Sequence, residues 1–110
     1  MSLYHITKIE NIDGILKNGL IIGKSGGIYL TSDWQDLLQV DVEQRADRIA
    51  VFKVTIDDES ILIKDEEFDS YDGDWVWYVR HDIPAKNIRL FCRASCTPIG
   101  TSVKIKIDKN

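Results

Sequence analysis

The run RIAVFKVTI, residues 48–56, restricts the fold of this chain more than any other stretch. Ile49, Val51, Lys53 and Thr55 alternate with Ala50, Phe52, Val54 and Ile56, which is the two-residue period of a β-strand. Phe52, Val54 and Ile56 form the set predicted to face a core. A strand leaves its peptide groups unpaired until a neighbour pairs with it, so one convincing strand requires others. Six further runs are candidates: LYHIT, IYLTSD, ESILIK, WVWYV, IRLFCRA and TSVKIKI. No repeat, linker or low-complexity tract separates them.

Helices are fewer. In LYHITKIENIDGILKNGL a short β-type run leads into Ile9, Ile12, Ile15 and Leu16, an apolar stripe at helical spacing. Thr7 with Glu10 three residues later has the spacing of a capping box. Gly19 is placed to end the helix at KNGL in a positive-φ conformation. A second helix is predicted through WQDLLQ, capped by Ser32 or Asp33. The acidic stretch DEEFDSYDGD, with six carboxylates, reads as a solvated turn, and DIPAKNI as another turn. Together these give an α+β class, a strongly twisted sheet with few helices, in a single domain over residues 1–110.

Charge and cysteine usage narrow the function. The formal charge is −4 and the pI about 5.0, which argues against a broad nonspecific nucleic-acid surface. A local patch around Lys86, Arg89 and Arg93 is still compatible with it. Cys92 and Cys96 stand in a CxxxC without a second Cys/His cluster, so a zinc site is not expected. They read as one buried and one partly buried thiol in a reducing cytoplasm. No apolar run approaches the roughly 20 residues of a membrane span, and MSLYHITK lacks a signal-peptide core. No Walker loop, GxGxxG, nucleophile elbow or HExxH is present.

The motifs carry more than the pattern. YHIT before a helix ending ILKNGL, then a glycine turn and GIYLTSD, resembles the ADP-ribosyltransferase superfamily. The resemblance is to small bacterial and phage members and to the DNA-targeting transferases of toxin–antitoxin pairs. It covers residues 3–33, and YVRHDIPAKNIRLF matches a later segment more loosely. It implies a small ADP-ribosyltransferase-like α+β fold with a twisted, split, antiparallel-rich sheet and one or two short helices. It further implies NAD as the cofactor consumed, and a macromolecular target, protein or nucleic acid. A cytoplasmic monomer or weak dimer goes with that reading.

By this resemblance His5 is the histidine that hydrogen-bonds the nicotinamide-side ribose, and a neutral imidazole does so without adding charge beside a departing cation. Thr7 lies beside it. Tyr29 supplies a flat aromatic face for the nicotinamide ring. Gly19 and Leu20 bring main chain near the nicotinamide amide, and Gly27 permits a close turn. The family's catalytic glutamate has no counterpart, since Val76 stands there. Asp74 is the nearest acid and the expected catalytic carboxylate, with Asp72, Glu66 and Glu67 behind it. A carboxylate here stabilises positive charge as nicotinamide leaves.

Two other readings follow from the same residues. A binding module of this fold would grip NAD, ADP-ribose or a protein partner with little or no transfer. An RNA 2′-phosphotransferase-like enzyme is suggested by GDWVWYVRHDIP, with Arg80, His81, Arg45 and Arg48 as phosphate-binding candidates.

Overall fold

The computed structural model describes residues 1–24, 26–41, 44–66 and 75–108. Among them seven strands build one sheet: β1 (Ser2–Lys8), β2 (Ile28–Thr31), β3 (Arg48–Thr55), β4 (Ile63–Lys64), β5 (Val76–Val79), β6 (Ile88–Ile99) and β7 (Ser102–Ile107). Their spatial order is β4-β5-β2-β1-β3-β6-β7, and every neighbouring pair is antiparallel. With two short helices, α1 (Ile12–Asn18) and α2 (Trp34–Val40), the molecule is a small α+β structure. Its sheet ends in two different edge strands and does not close into a barrel.

Alternation along the strands makes two cores. Leu3, Leu30, Ala50, Phe52, Val54 and Val79 face one side, where Ile12 of α1 joins them. Ile6, Ile49, Val51, Val76 and Ala94 face the other, under Trp34, Leu37 and Leu38 of α2. Phe52, Val54 and Ile56 face a core as expected, and the other face of β3 does too: Ile49 and Val51 are as fully buried as Phe52 and Val54. Each helix covers one side of the strand, and each fully buried side chain of this size contributes roughly 1.5–3 kcal/mol.

The sheet is continuous but nearly divides at its centre. β1 pairs with β3 along all seven of its residues, from Ser2↔Thr55 to Lys8↔Ile49, whereas β1 and β2 meet in register at Tyr4↔Thr31 alone. Thr31 fixes that junction. Its buried hydroxyl donates to the Trp75 carbonyl at 2.9 Å and accepts from the Asp33 amide at 3.1 Å. Asp33 then caps α2, accepting from the Asp36 amide at 3.1 Å, as one of the two expected caps.

Three other expectations change. Thr7 is not a helix cap: it pairs with Ala50 inside β1, and neither the 3-10 turn Ile9–Asn11 nor α1 has a side-chain cap bond at its start. ESILIK is mostly a 3-10 turn, Glu59–Ile61, because Asp58 accepts from both the amide and the hydroxyl of Ser60, at 3.0 and 2.6 Å. β6 runs unbroken through SCTPI. Pro98 fits there because β6 outruns β3, whose last pairing is Arg48↔Ser95, so its missing N–H faces no partner strand.

Gly19 does end α1, at φ 82°, donating to the Ile15 carbonyl at 2.8 Å. A Cβ at this position would stand 2.2 Å from the Ile83 oxygen and 2.9 Å from the Ala85 nitrogen. The close approach lets Leu20 and Ile83 exchange two main-chain hydrogen bonds, both 2.9 Å.

Candidate functional site

Where β1 and β2 part, the side chain of His5 bridges them. His5 is in register with Phe52, so its ring projects to the α1 side of the sheet, and its Nδ1 lies 2.8 Å from the main-chain oxygen of Tyr29. A carbonyl only accepts, so Nδ1 carries the proton. Burial pushes the imidazole below its ordinary value of 6.5, and the bond to Tyr29 only partly opposes this. The ring is therefore neutral near pH 7, with Nε2 as its acceptor.

An open cleft of about 440 Å³ lies beside it, lined by His5, Thr7, Glu10, Asn11, Ile15 and the Asn18–Ile21 segment. β1 supplies His5 and Thr7 at a two-residue spacing, hence on one face. The turn after β1 supplies Glu10 and Asn11, whose amide donates to the Thr7 hydroxyl at 2.9 Å. The end of α1 supplies the main chain of Gly19 and Leu20. Beyond it the Ile22 amide donates to Asp82 at 2.8 Å. Thr7, Glu10 and Asn11 also line a second cavity of about 440 Å³, whose far side is Gln44, Arg45 and Ala46.

Thus His5, Thr7, Gly19 and Leu20 come together. Tyr29 joins them through its carbonyl only. Ile28 and Leu30 point into the α1-side core, so the Tyr29 ring lies on the opposite face, tilted against Tyr78 with centroids 5.7 Å apart. Gly27 has an ordinary φ, and a Cβ there would make a normal 3.5 Å contact with Tyr78. Asp74, Asp72 and Glu67 lie outside the described residues, and Glu66 is exposed beyond β4. Two residues apart, Trp75 and Trp77 pack on different cores, Trp75 on the α2 side and Trp77 on the α1 side.

Glu10, which the sequence assigned to a capping box, and Asn11, to which it assigned no role, also line the cleft. The capping-box spacing absorbed Glu10, and only the extension of β1 to Lys8 frees it. Glu10 is the one carboxylate among the described lining residues of the His5 cleft.

The phosphate-binding candidates are dispersed. Arg45 donates to the carbonyls of Leu38, Gln39 and Thr101, closing the end of α2. Arg48 pairs with Asp108. The Arg80 guanidinium sits over the Tyr78 ring, 5.6 Å from its centroid, and His81 lines a separate cavity with Asp57, Asp58 and Lys86. Arg89 and Arg93 do not make one patch either. An extra residue in β6 between the pairs Val51↔Cys92 and Phe52↔Leu90 puts them on opposite faces.

Among the described residues no group of histidine, cysteine, aspartate or glutamate is arranged to hold a metal ion. No helix among them is long and apolar enough to cross a membrane. No protein-family model matches the chain, and no curated protein matches it significantly.

Proposed function

We propose that the His5 cleft takes the nicotinamide–ribose part of NAD, and that the chain is an ADP-ribosyltransferase-like protein acting on a macromolecular target. The observation that carries this reading is the His5 ring on the cleft wall, held through Nδ1. Its Nδ1–H is committed to the Tyr29 carbonyl at 2.8 Å, and Nε2 remains to accept from a ribose hydroxyl beside Thr7. A neutral acceptor suits a substrate whose leaving group starts as a cation. The Gly19 and Leu20 amides are committed to Ile15 and Ile83, so the Gly19 carbonyl is the main-chain group proposed to accept from the nicotinamide carboxamide. Ile15, Leu20 and Ile21 form an apolar wall in place of the Tyr29 ring.

In transfer, the bond between ribose C1′ and the nicotinamide nitrogen breaks, the electron pair leaves with nicotinamide, and a nucleophile of the target bonds C1′ and loses its proton. A carboxylate near C1′ favours the charge that develops. Asp74 is proposed for this role from sequence position, and Glu10 lines the cleft. The second reading, a module that binds NAD or ADP-ribose without transfer, is favoured by the absence of any buried acid among the described lining residues.

Calorimetric titration with NAD tests the site. Binding is expected, and His5→Ala weakens it by on the order of 1 kcal/mol for the lost ribose bond. No heat with NAD, ADP-ribose or nicotinamide at millimolar concentration overturns the proposal. Release of nicotinamide from labelled NAD, with and without cell lysate, separates transferase from binding module.

A further inference from the structure

The outer edge of the sheet, β7, is open, and its register shows which groups it offers. Gly100 and Thr101 form a two-residue hairpin loop between Ile99 and Ser102, so Ser102, Lys104 and Lys106 exchange their main-chain bonds with β6. The peptide groups of Val103, Ile105 and Ile107 therefore point outward. One of these three is already satisfied. The Gln39 carboxamide of α2 donates to the Val103 oxygen at 2.7 Å and accepts from the Val103 amide at 3.0 Å, occupying the place of a neighbouring strand residue. No described residue pairs with the outward groups of Ile105 and Ile107.

The side chains along this edge are sorted by face. Val103 and Ile105 belong to the α2-side core, and Ile107 continues that face with 43% of its surface exposed. Lys104 and Lys106 project to the other face, and both are exposed. Arg48 and Arg93 share that face by register, with Asp108 paired to Arg48. Among the described residues of these strands, four cations thus share that face with one carboxylate, Asp108.

We infer that the β7 edge docks an extended peptide whose side chains alternate acidic and apolar, added as an eighth strand beside Ile105 and Ile107. The main chain supplies the pairing, the lysine face selects the acids, and Ile107 takes the apolar side. A second copy of the chain is disfavoured. Antiparallel pairing of two β7 edges about Ile105 sets Lys104 against the other copy's Lys106, and like charges placed opposite each other are destabilising.

The test uses the whole protein and a synthetic peptide, acetyl-Gly-Glu-Val-Glu-Val-Glu-Val-Gly-amide, with a lysine-for-glutamate version as control. Binding of the acidic peptide alone is expected, weakening with salt. Hydrogen exchange at the amides of Ile105 and Ile107 slows when it binds. Charge reversals K104E and K106E each weaken binding roughly two- to fivefold. Ile107→Pro removes an outward N–H without breaking a bond to β6, and its unchanged circular dichroism with lost binding places the peptide on the edge. The inference fails if the peptide does not bind at millimolar concentration. It also fails if Ile107→Pro binds as tightly as wild type, or if sedimentation shows a dimer that K104E and K106E strengthen.

Discussion

The nitrogen of Leu20 lies 2.9 Å from the oxygen of Ile83, and the nitrogen of Ile83 lies 2.9 Å from the oxygen of Leu20. This pair of reciprocal bonds ties the end of α1 to the segment between β5 and β6, and so fixes one wall of the His5 cleft.

Gly19 makes the tie possible. Gly19→Ala places a methyl 2.2 Å from the Ile83 oxygen at a φ of 82°, so the two strands of main chain must separate. A loss on the order of 3 kcal/mol is expected, measured by urea unfolding. Gly27→Ala, which meets only an ordinary contact, serves as the control and stays within about 1 kcal/mol of wild type.

His5 gives a pH dependence of known sign. Its folded-state value is lowered from 6.5, so below 6.5 the unfolded chain binds the proton more readily than the native one. Stability is fully present above 6.5 and declines as pH falls from there toward the lowered value. His5→Asn keeps a donor near the Nδ1 position and does not titrate. Thermal melts at several pH values should show the wild-type decline as pH falls below 6.5 and a smaller decline in the variant.

How much of this was readable in advance depends on which force decides each element. Runs of β-type residues announced β1, β2, β3, β5, β7 and most of β6, and a cap at Ser32 or Asp33 announced α2, because strand pattern and capping act over a few residues. The second buried face of β3 was not announced, since it depends on α2 arriving from elsewhere in the chain. Thr7 followed its ladder pairing with Ala50 over its local capping option, and that tertiary choice moved Glu10 and Asn11 into the cleft. The resemblance of YHIT grouped His5 with Thr7, and the two do line one cleft. It misdirected the ring of Tyr29, because one residue of alternation separates a cleft wall from the opposite face.

The assignment of the acid is open to a direct kinetic comparison. Asp74→Asn removes charge at nearly constant size, and a drop on the order of a hundredfold in nicotinamide release is expected if it stabilises the developing cation. Glu10→Gln is measured beside it. Loss in the Glu10 variant with none in the Asp74 variant transfers the role to the residue that lines the cleft.

The thiols are expected to be inert. Burial raises both Cys92 and Cys96, with the Asp108 charge adding to the effect at Cys92, so little thiolate exists at neutral pH. Four residues apart on one strand, their Cα atoms lie roughly 13 Å apart, too far for a disulfide. Ellman's reagent at pH 7 should modify the folded protein slowly, Cys96 last, and both thiols quickly in denaturant.

Phe91 is the residue that β6 holds in excess over β3, and its ring rests edge-on against Tyr4 at 5.1 Å. Chain length is therefore not equally negotiable along this strand. Deleting Phe91 would leave Leu90↔Phe52 and Cys92↔Val51 as consecutive pairs, with every later side chain on its present face. Deleting or inserting one residue anywhere from Arg93 to Cys96 would turn the remainder of the hairpin over, sending lysines toward α2 and Val103 into water. In lineages that gain and lose single codons, the phase of the whole outer hairpin hangs on where in these few positions the change falls.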